Sequence, residues 1–188
     1  GSDNENVTYR DVITIEELDT NHRFGTNALE NSLYFTTRTG AEISKNNTAF
    51  GYKALQNNTF ENNTAIGAYS MFKNATGCRG NTAVGFYSLI NVNGDNNTVI
   101  GANAGSDDTN GILDGNNNIL IGNNSNTSKN SANNEIVIGH NAKGHGNNII
   151  VLGNNETTRI QMFDYGNLMV KNNNSLNNIF TKSINNNK

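Results

Sequence analysis

The sequence predicts an all-β fold: a parallel β-roll or β-solenoid of about seven to eight short coils, assembled as a parallel homotrimer. Three observations predict it. One ten-residue phrase recurs, as "NNTAFGYKAL" at 46, "NNTAIGAYSM" at 62, "GNTAVGFYSL" at 80 and "NNTVIGANAG" at 96. The recurrence is short, and the strand inside each copy is apolar on both of its faces.

The period is measured on the glycines Gly51, Gly67, Gly85, Gly101, Gly122, Gly139 and Gly153, which are separated by 16, 18, 16, 21, 17 and 14 residues. Such steps are too small for helical-hairpin repeats or propeller blades. Two strands of about five residues and two turns fill them, which is one coil of a solenoid. "FGTNAL" at Phe24–Leu29 matches "FGYKAL" at Phe50–Leu55 and opens the series as a degenerate copy.

Columns across the copies assign each position a task. Three residues before the glycine stand Thr48, Thr64, Thr82, Thr98, Ile119, Ile136 and Ile150. One residue before it stand Phe50, Ile66, Val84, Ile100, Ile121, Ile138 and Leu152, taken as core. These columns share a strand face, since side chains alternate with period two. Between them, pointing the other way, come Ala49, Ala65, Ala83, Val99, Leu120, Val137 and Val151. A strand that is apolar on both sides must be covered on both sides. A thin roll buries one face itself; identical chains supply the cover for the other, and a threefold axis closes the assembly. Which column faces inward is left open at this level.

Five residues before the glycine the column is Asn46, Asn62, Gly80, Asn96, Asn117, Asn134 and Asn148. Asn and Gly enter the left-handed backbone region most readily, so this column predicts a tight corner with positive φ. Stacked amides there can also share hydrogen bonds along the solenoid. Ala54, Ser70, Ser88, Ala104, Ser125 and Ala142, three residues after the glycine, are small enough for a narrow second corner.

Composition narrows the function. The chain has 188 residues, a net charge of −3, 15 % charged residues and no proline or tryptophan. No basic stripe tracks a phosphate backbone, so nucleic acid is not an expected partner. No run is long enough to cross a membrane, so direct insertion is not expected either. The 42 asparagines and the mean hydropathy of −0.61 would fit a disordered chain, but the regularly placed "ILIG", "IVIG" and "IVLG" argue for order. An AT-rich coding sequence also inflates Asn, and such drift competes as the explanation for any single Asn outside the corner column. Gly1-Ser2 has the look of an expression scar on part of a longer protein.

These copies resemble the N-[ST]-x-A-[IV]-G-x-x-[AS] repeats of trimeric autotransporter adhesin heads, and still more the "NTAxGYxAL" repeats of phage and large-virus tail fibres. The resemblance covers residues 46–153 closely and 24–160 loosely. It implies a left-handed parallel β-roll, three chains side by side, displayed on a virion or cell surface to contact a host receptor or glycan. The last three copies depart from it, replacing Thr-Ala with two aliphatics, which suggests a tighter, drier lower stem. Neither the self-cleaving chaperone of tail fibres nor the anchor of autotransporters is matched.

The expected organisation is an N-terminal cap or adjoining fibre element over 1–45 and the roll over 46–156. A hairpin cap follows over 157–171, around "DYGN", and an Asn-rich tail or linker over 172–188. "ITIEELDT" is the one weak helix candidate.

Catalysis needs a nucleophile beside a base, paired carboxylates or a ligand cluster, and no such pattern stands out. The chain is therefore expected to be non-enzymatic, with no cofactor and no metal. His140 and His145 share a loop, and Asp107, Asp108 and Asp114 share the longest insertion, whose spacing is not that of an EF-hand. Both groups are most simply surface loops. Cys78 is expected to be a buried, idle thiol, and sequons such as Asn6-Val7-Thr8, Asn62-Asn63-Thr64 and Asn74-Ala75-Thr76 arise by chance in so Asn-rich a chain. Tyr52, Tyr69, Phe86 and Tyr87 follow their glycines at corners, where they either pack between coils or offer a contact surface to sugar or protein. The leading function is a rigid fibre or spike segment mediating host attachment. The alternatives are an ice-binding solenoid, prompted by the Thr48, Thr64, Thr82 and Thr98 ladder, and a polysaccharide-degrading spike.

Overall fold

A computed structural model describes residues 21–30, 45–58, 60–73, 78–106 and 114–157. Within them the chain is an all-β solenoid with no helix. The strands are β1 (His22–Phe24), β2 (Thr48–Phe50), β3 (Thr64–Ile66), β4 (Thr82–Val84), β5 (Thr98–Ile100), β6 (Ile119–Ile121), β7 (Ile136–Ile138) and β8 (Ile150–Leu152). They form one sheet in sequence order. Every neighbouring pair is parallel, and equivalent repeat positions stand opposite one another, as Thr48 opposite Thr64 and Ala83 opposite Val99.

Corners hold the strands to this length. At the column five residues before the glycine φ is positive throughout: 55° at Asn46, 63° at Asn62, 67° at Gly80, 58° at Asn96 and 60° at Asn117. At the repeat glycines from Gly51 to Gly139 φ lies between 128° and 141°, a conformation closed to ordinary L residues. The glycines also stack. A β-carbon on Gly67 would stand 2.5 Å from the carbonyl oxygen of Gly85, and one on Gly101 2.4 Å from that of Gly122. Backbone conformation and close approach of the next coil both require glycine.

Two expectations need correction. Among the described residues each coil contributes one three-residue strand rather than two of about five. The return path cannot be extended, because residues two and four past the glycine are left-handed: Lys53 and Leu55 at 56° and 50°, Tyr69 and Met71 at 57° and 49°, Tyr87 and Leu89 at 56° and 49°. These turns bond from coil to coil instead, as Leu55 N donating to Ser70 O at 3.1 Å and Leu89 N to Ala104 O at 2.8 Å.

The second correction concerns the core. Phe50, Ile66, Val84, Ile100, Ile121, Ile138 and Leu152 point out of the single chain, with Phe50 53 %, Ile66 and Ile100 40 % and Leu152 45 % exposed, and Val84 and Ile121 half-buried. The interior is the small column: Ala49, Ala65, Ala83, Val99, Leu120 and Val137 are buried, and Val151 is partly so. Opposite this column lie Leu55, Met71 and Leu89, four residues past their glycines, and Ala54, Ser70, Ser88, Ala104, Ser125 and Ala142 are buried beside them.

Volume is conserved along the interior. Where the strand carries Ala49, Ala65 or Ala83, the return path carries Leu55, Met71 or Leu89; where the strand widens to Val99, the return path shrinks to Gly105. A β-carbon on Gly105 would lie 3.2 Å from Leu89 Cδ1 and 3.4 Å from both Leu120 Cδ1 and Val99 Cγ1. Val99 and Leu120 thus occupy space that the return path gives up at Gly105.

The expected hairpin at 157–171, the tail at 172–188 and the stretch "ITIEELDT" lie outside the described residues, Thr157 excepted.

Candidate functional site: an outward sheet face and an aromatic corner

The outward face of the sheet carries two parallel columns. The first runs Thr48, Thr64, Thr82, Thr98, Ile119, Ile136, Ile150; the second runs Phe50, Ile66, Val84, Ile100, Ile121, Ile138, Leu152. Phe24 extends the second column and stacks on Phe50, ring centroids 4.9 Å apart. Apolar side chains therefore stand in ranks, held in register by the ladder beneath them.

Past the glycine corner, coils β2 to β4 bring the sequence-nominated aromatics together. Tyr69 lies at the centre: its ring is 5.3 Å from Tyr52, 5.3 Å from Phe72, 4.9 Å from Tyr87 and 6.5 Å from Phe86. Phe86 and Tyr87 meet at 4.3 Å. The Lys53 ammonium stands over three of these rings, 5.3 Å from Tyr52, 5.7 Å from Tyr69 and 5.6 Å from Phe72. Packing among these neighbours pushes the Tyr69 phenol above its ordinary value, and the adjacent Tyr52 adds to the shift. Tyr52 and Phe86 remain 43 % and 52 % exposed, so the cluster both packs between coils and offers surface. Phe72 and Lys53 were not nominated from sequence; their part emerges only when the coils are stacked.

Elsewhere the polar candidates stay separate. His140 and His145 are exposed, and His140 Nε2 lies 2.9 Å from Asn141 Nδ2. Asp114 accepts a hydrogen bond from Asn93 Nδ2 at 2.8 Å, while Asp107 and Asp108 are outside the described residues. Among the described residues no three His, Cys, Asp or Glu side chains gather as metal ligands. Cys78 is buried and unpaired with another thiol, and burial pushes it up to about 12. Asn62 is exposed at its corner; the sequons at Asn6 and Asn74 lie outside the described residues.

Sequence reasoning missed a ladder inside the roll. Four residues before each glycine stand Asn47, Asn63, Asn81, Asn97 and Asn118, all fully buried. Each side-chain oxygen accepts the backbone amide of the equivalent residue in the next coil: Asn63 N to Asn47 Oδ1 at 2.9 Å, Asn81 N to Asn63 at 3.0 Å, Asn97 N to Asn81 at 2.8 Å and Asn118 N to Asn97 at 3.0 Å. Each Nδ2 reaches across the coil to a carbonyl: Asn63 to Cys78, Asn81 to Gly94, Asn97 to Gly115 and Asn118 to Ala132. Buried amides are tolerated because both ends are satisfied.

The ladder ends at Glu135, also fully buried, whose backbone amide donates to Asn118 Oδ1 at 2.9 Å. Its carboxylate accepts from Ser128 N and Gly146 N, both at 2.9 Å, and from the Ser128 hydroxyl. The signal for the ladder was present in the doubled asparagines: the first turns the corner, and the second is in phase with the inward-pointing residue of the strand.

Comparison of this chain with protein-family models, curated proteins and solved structures finds no match.

Proposed function

We propose that this chain is a non-enzymatic segment of a trimeric fibre or spike, displayed on a virion or cell surface, that acts as a rigid spacer and mediates host attachment. The observation that carries the reading is the uncovered sheet face. Phe50, Ile66, Ile100, Ile138, Ile150 and Leu152 are exposed in the single chain, and the half-buried Val84 and Ile121 complete the rank from β2 to β8. A contiguous apolar face is a mark of an interaction surface. Three copies turned inward about an axis parallel to the solenoid cover it with identical ranks, and leave the aromatic corner available to a host glycan or receptor.

Size-exclusion chromatography with light scattering tests the assembly. The expected mass is three chains, and an Ile100→Lys, Ile138→Lys double variant should fall to one chain or precipitate. A wild-type protein that is stable and monodisperse as a single chain overturns the reading.

One observation favours a second reading. Thr48, Thr64, Thr82 and Thr98 stand in register on one face, the arrangement that an ice-ordering surface requires. The same face cannot order ice and be covered by sister chains, so thermal hysteresis by a monomer would select it.

A further inference from the structure

We propose that the aromatic corner of coils β2 to β4 is a binding subsite for a carboxylated sugar, such as a uronate or sialate, with Lys53 pairing the carboxylate and the surrounding rings stacking on the sugar. The proposal rests on the attachment reading and names the ligand class of that surface.

The backbone does not call for aromatic side chains here. Two residues past the glycine φ is 56° at Lys53, 57° at Tyr69 and 56° at Tyr87, and it is 54° at Asn103, 55° at Asn124 and 53° at Asn141. Asparagine is the ordinary occupant of that conformation, and a bulky residue there is strained. One residue past the glycine, Ala68 and Ala102 hold the place that Tyr52 and Phe86 fill. Three neighbouring coils therefore carry large rings at positions where the fold itself accepts Ala or Asn. The left-handed residues Leu55, Met71 and Leu89 are accounted for by the interior they fill; the rings at this corner stay partly exposed, with a cation over three of them, and that points to a binding role.

The chemistry of the patch selects the ligand. A cage of aromatic faces ordinarily takes a cation, but Lys53 already supplies one, 5.3–5.7 Å from the rings of Tyr52, Tyr69 and Phe72. Among the described residues no carboxylate forms an ion pair with it; Arg79–Glu61 is the pair found there. The complementary ligand is therefore an anion with apolar C–H faces of its own. An acidic sugar has both: its ring stacks on Tyr or Phe while its carboxylate accepts hydrogen bonds from the ammonium.

The test uses the full chain in its assembled state, against an array of uronate- and sialate-bearing oligosaccharides, the same glycans with each carboxyl reduced to the alcohol, and sulfated glycans. The expected result is binding to the carboxylated set that falls at least tenfold on carboxyl reduction. Lys53→Asn and Tyr69→Asn, substitutions that the equivalent Asn103 and Asn124 show the backbone accepts, should each weaken binding by at least tenfold without changing the mass of the assembly. Preference for sulfated glycans, or glycan binding that both variants retain, overturns the subsite and leaves the attachment reading standing. Failure to bind any glycan or any intact cell surface overturns both.

Discussion

The side-chain oxygen of Asn97 accepts the backbone amide of Asn118 at 3.0 Å, one coil further along, while the Asn97 amide nitrogen donates to Asn81 Oδ1 at 3.1 Å and to Gly115 O at 2.8 Å. One buried side chain thus joins three neighbouring coils and satisfies polar groups on each. Replacing it with leucine, which is similar in size, leaves the Asn118 amide and the Gly115 carbonyl buried without partners. Each such loss costs about 1–3 kcal/mol, so Asn97→Leu is expected to destabilise the protein by about 2–5 kcal/mol in urea unfolding. A variant as stable as wild type would show that the ladder contributes nothing.

Gly101→Ala introduces a β-carbon 2.4 Å from the Gly122 carbonyl oxygen at φ 139°. Gly146 has a similar φ of 136°, but a β-carbon there meets nothing closer than Ile149 Cδ1 at 3.5 Å. Backbone strain alone costs about 1–3 kcal/mol. Gly146→Ala should lose about that much, and Gly101→Ala clearly more, since a neighbouring coil must also move. Thermal melts of the pair separate the conformational part from the steric one.

Glu135 accepts three hydrogen bonds and every partner is a donor: Ser128 N, the Ser128 hydroxyl and Gly146 N. Glu135→Gln keeps the shape but turns an –NH2 group toward at least one of those donors. The expected loss is about 1–3 kcal/mol, measured by denaturant unfolding at neutral pH. Glu135→Gln as stable as wild type would mean that the acceptor set is not what selects Glu here.

Cys78 predicts a pH dependence. Burial raises its thiol from the ordinary 9.0 to about 12 in the folded chain. Between those values the unfolded chain has already released the proton and the folded chain holds it, so stability is full below pH 9 and falls as pH rises toward 12. The slope is at most about 1.4 kcal/mol per pH unit. Cys78→Ala should remove the thiol's share of it, leaving the fall above pH 10 that the raised Tyr69 phenol adds in the same direction. In the native protein at pH 8 the thiol should resist a soluble disulfide reagent, and it should react once the chain is unfolded.

Much of this was legible from the repeat. The Gly51-type and Asn46-type columns each imposed a single backbone demand, and positive φ is what the structure shows at Asn46, Asn62 and Asn96. The direction of the strand faces was harder to read. Phe50 and Ile66 look like core and Ala49 and Ala65 like filler until the return path is placed, when Leu55 and Met71 take up the space that the alanines leave. The interior ladder was hidden for a different reason: Asn63 beside Asn62 reads as more of the same polar composition, and only strand phase tells the amide inside from the one outside. Lys53 and Phe72 reach Tyr69 across the stack, a proximity that no short window of sequence contains.

The exchange of bulk between Ala83 with Leu89 and Val99 with Gly105 restricts how a gene of this kind can grow. Tandem duplication inside the alanine–leucine stretch copies a unit that already fits its neighbours above and below. Inserting that unit between the coils of Val99 and Leu120 would give Leu120 a leucine as neighbour where it now has Gly105, and the interior would be overfilled there. A coil is therefore accommodated among its like and not across the junction, so the point where Ala with Leu gives way to Val with Gly is where the number of coils is hardest to change.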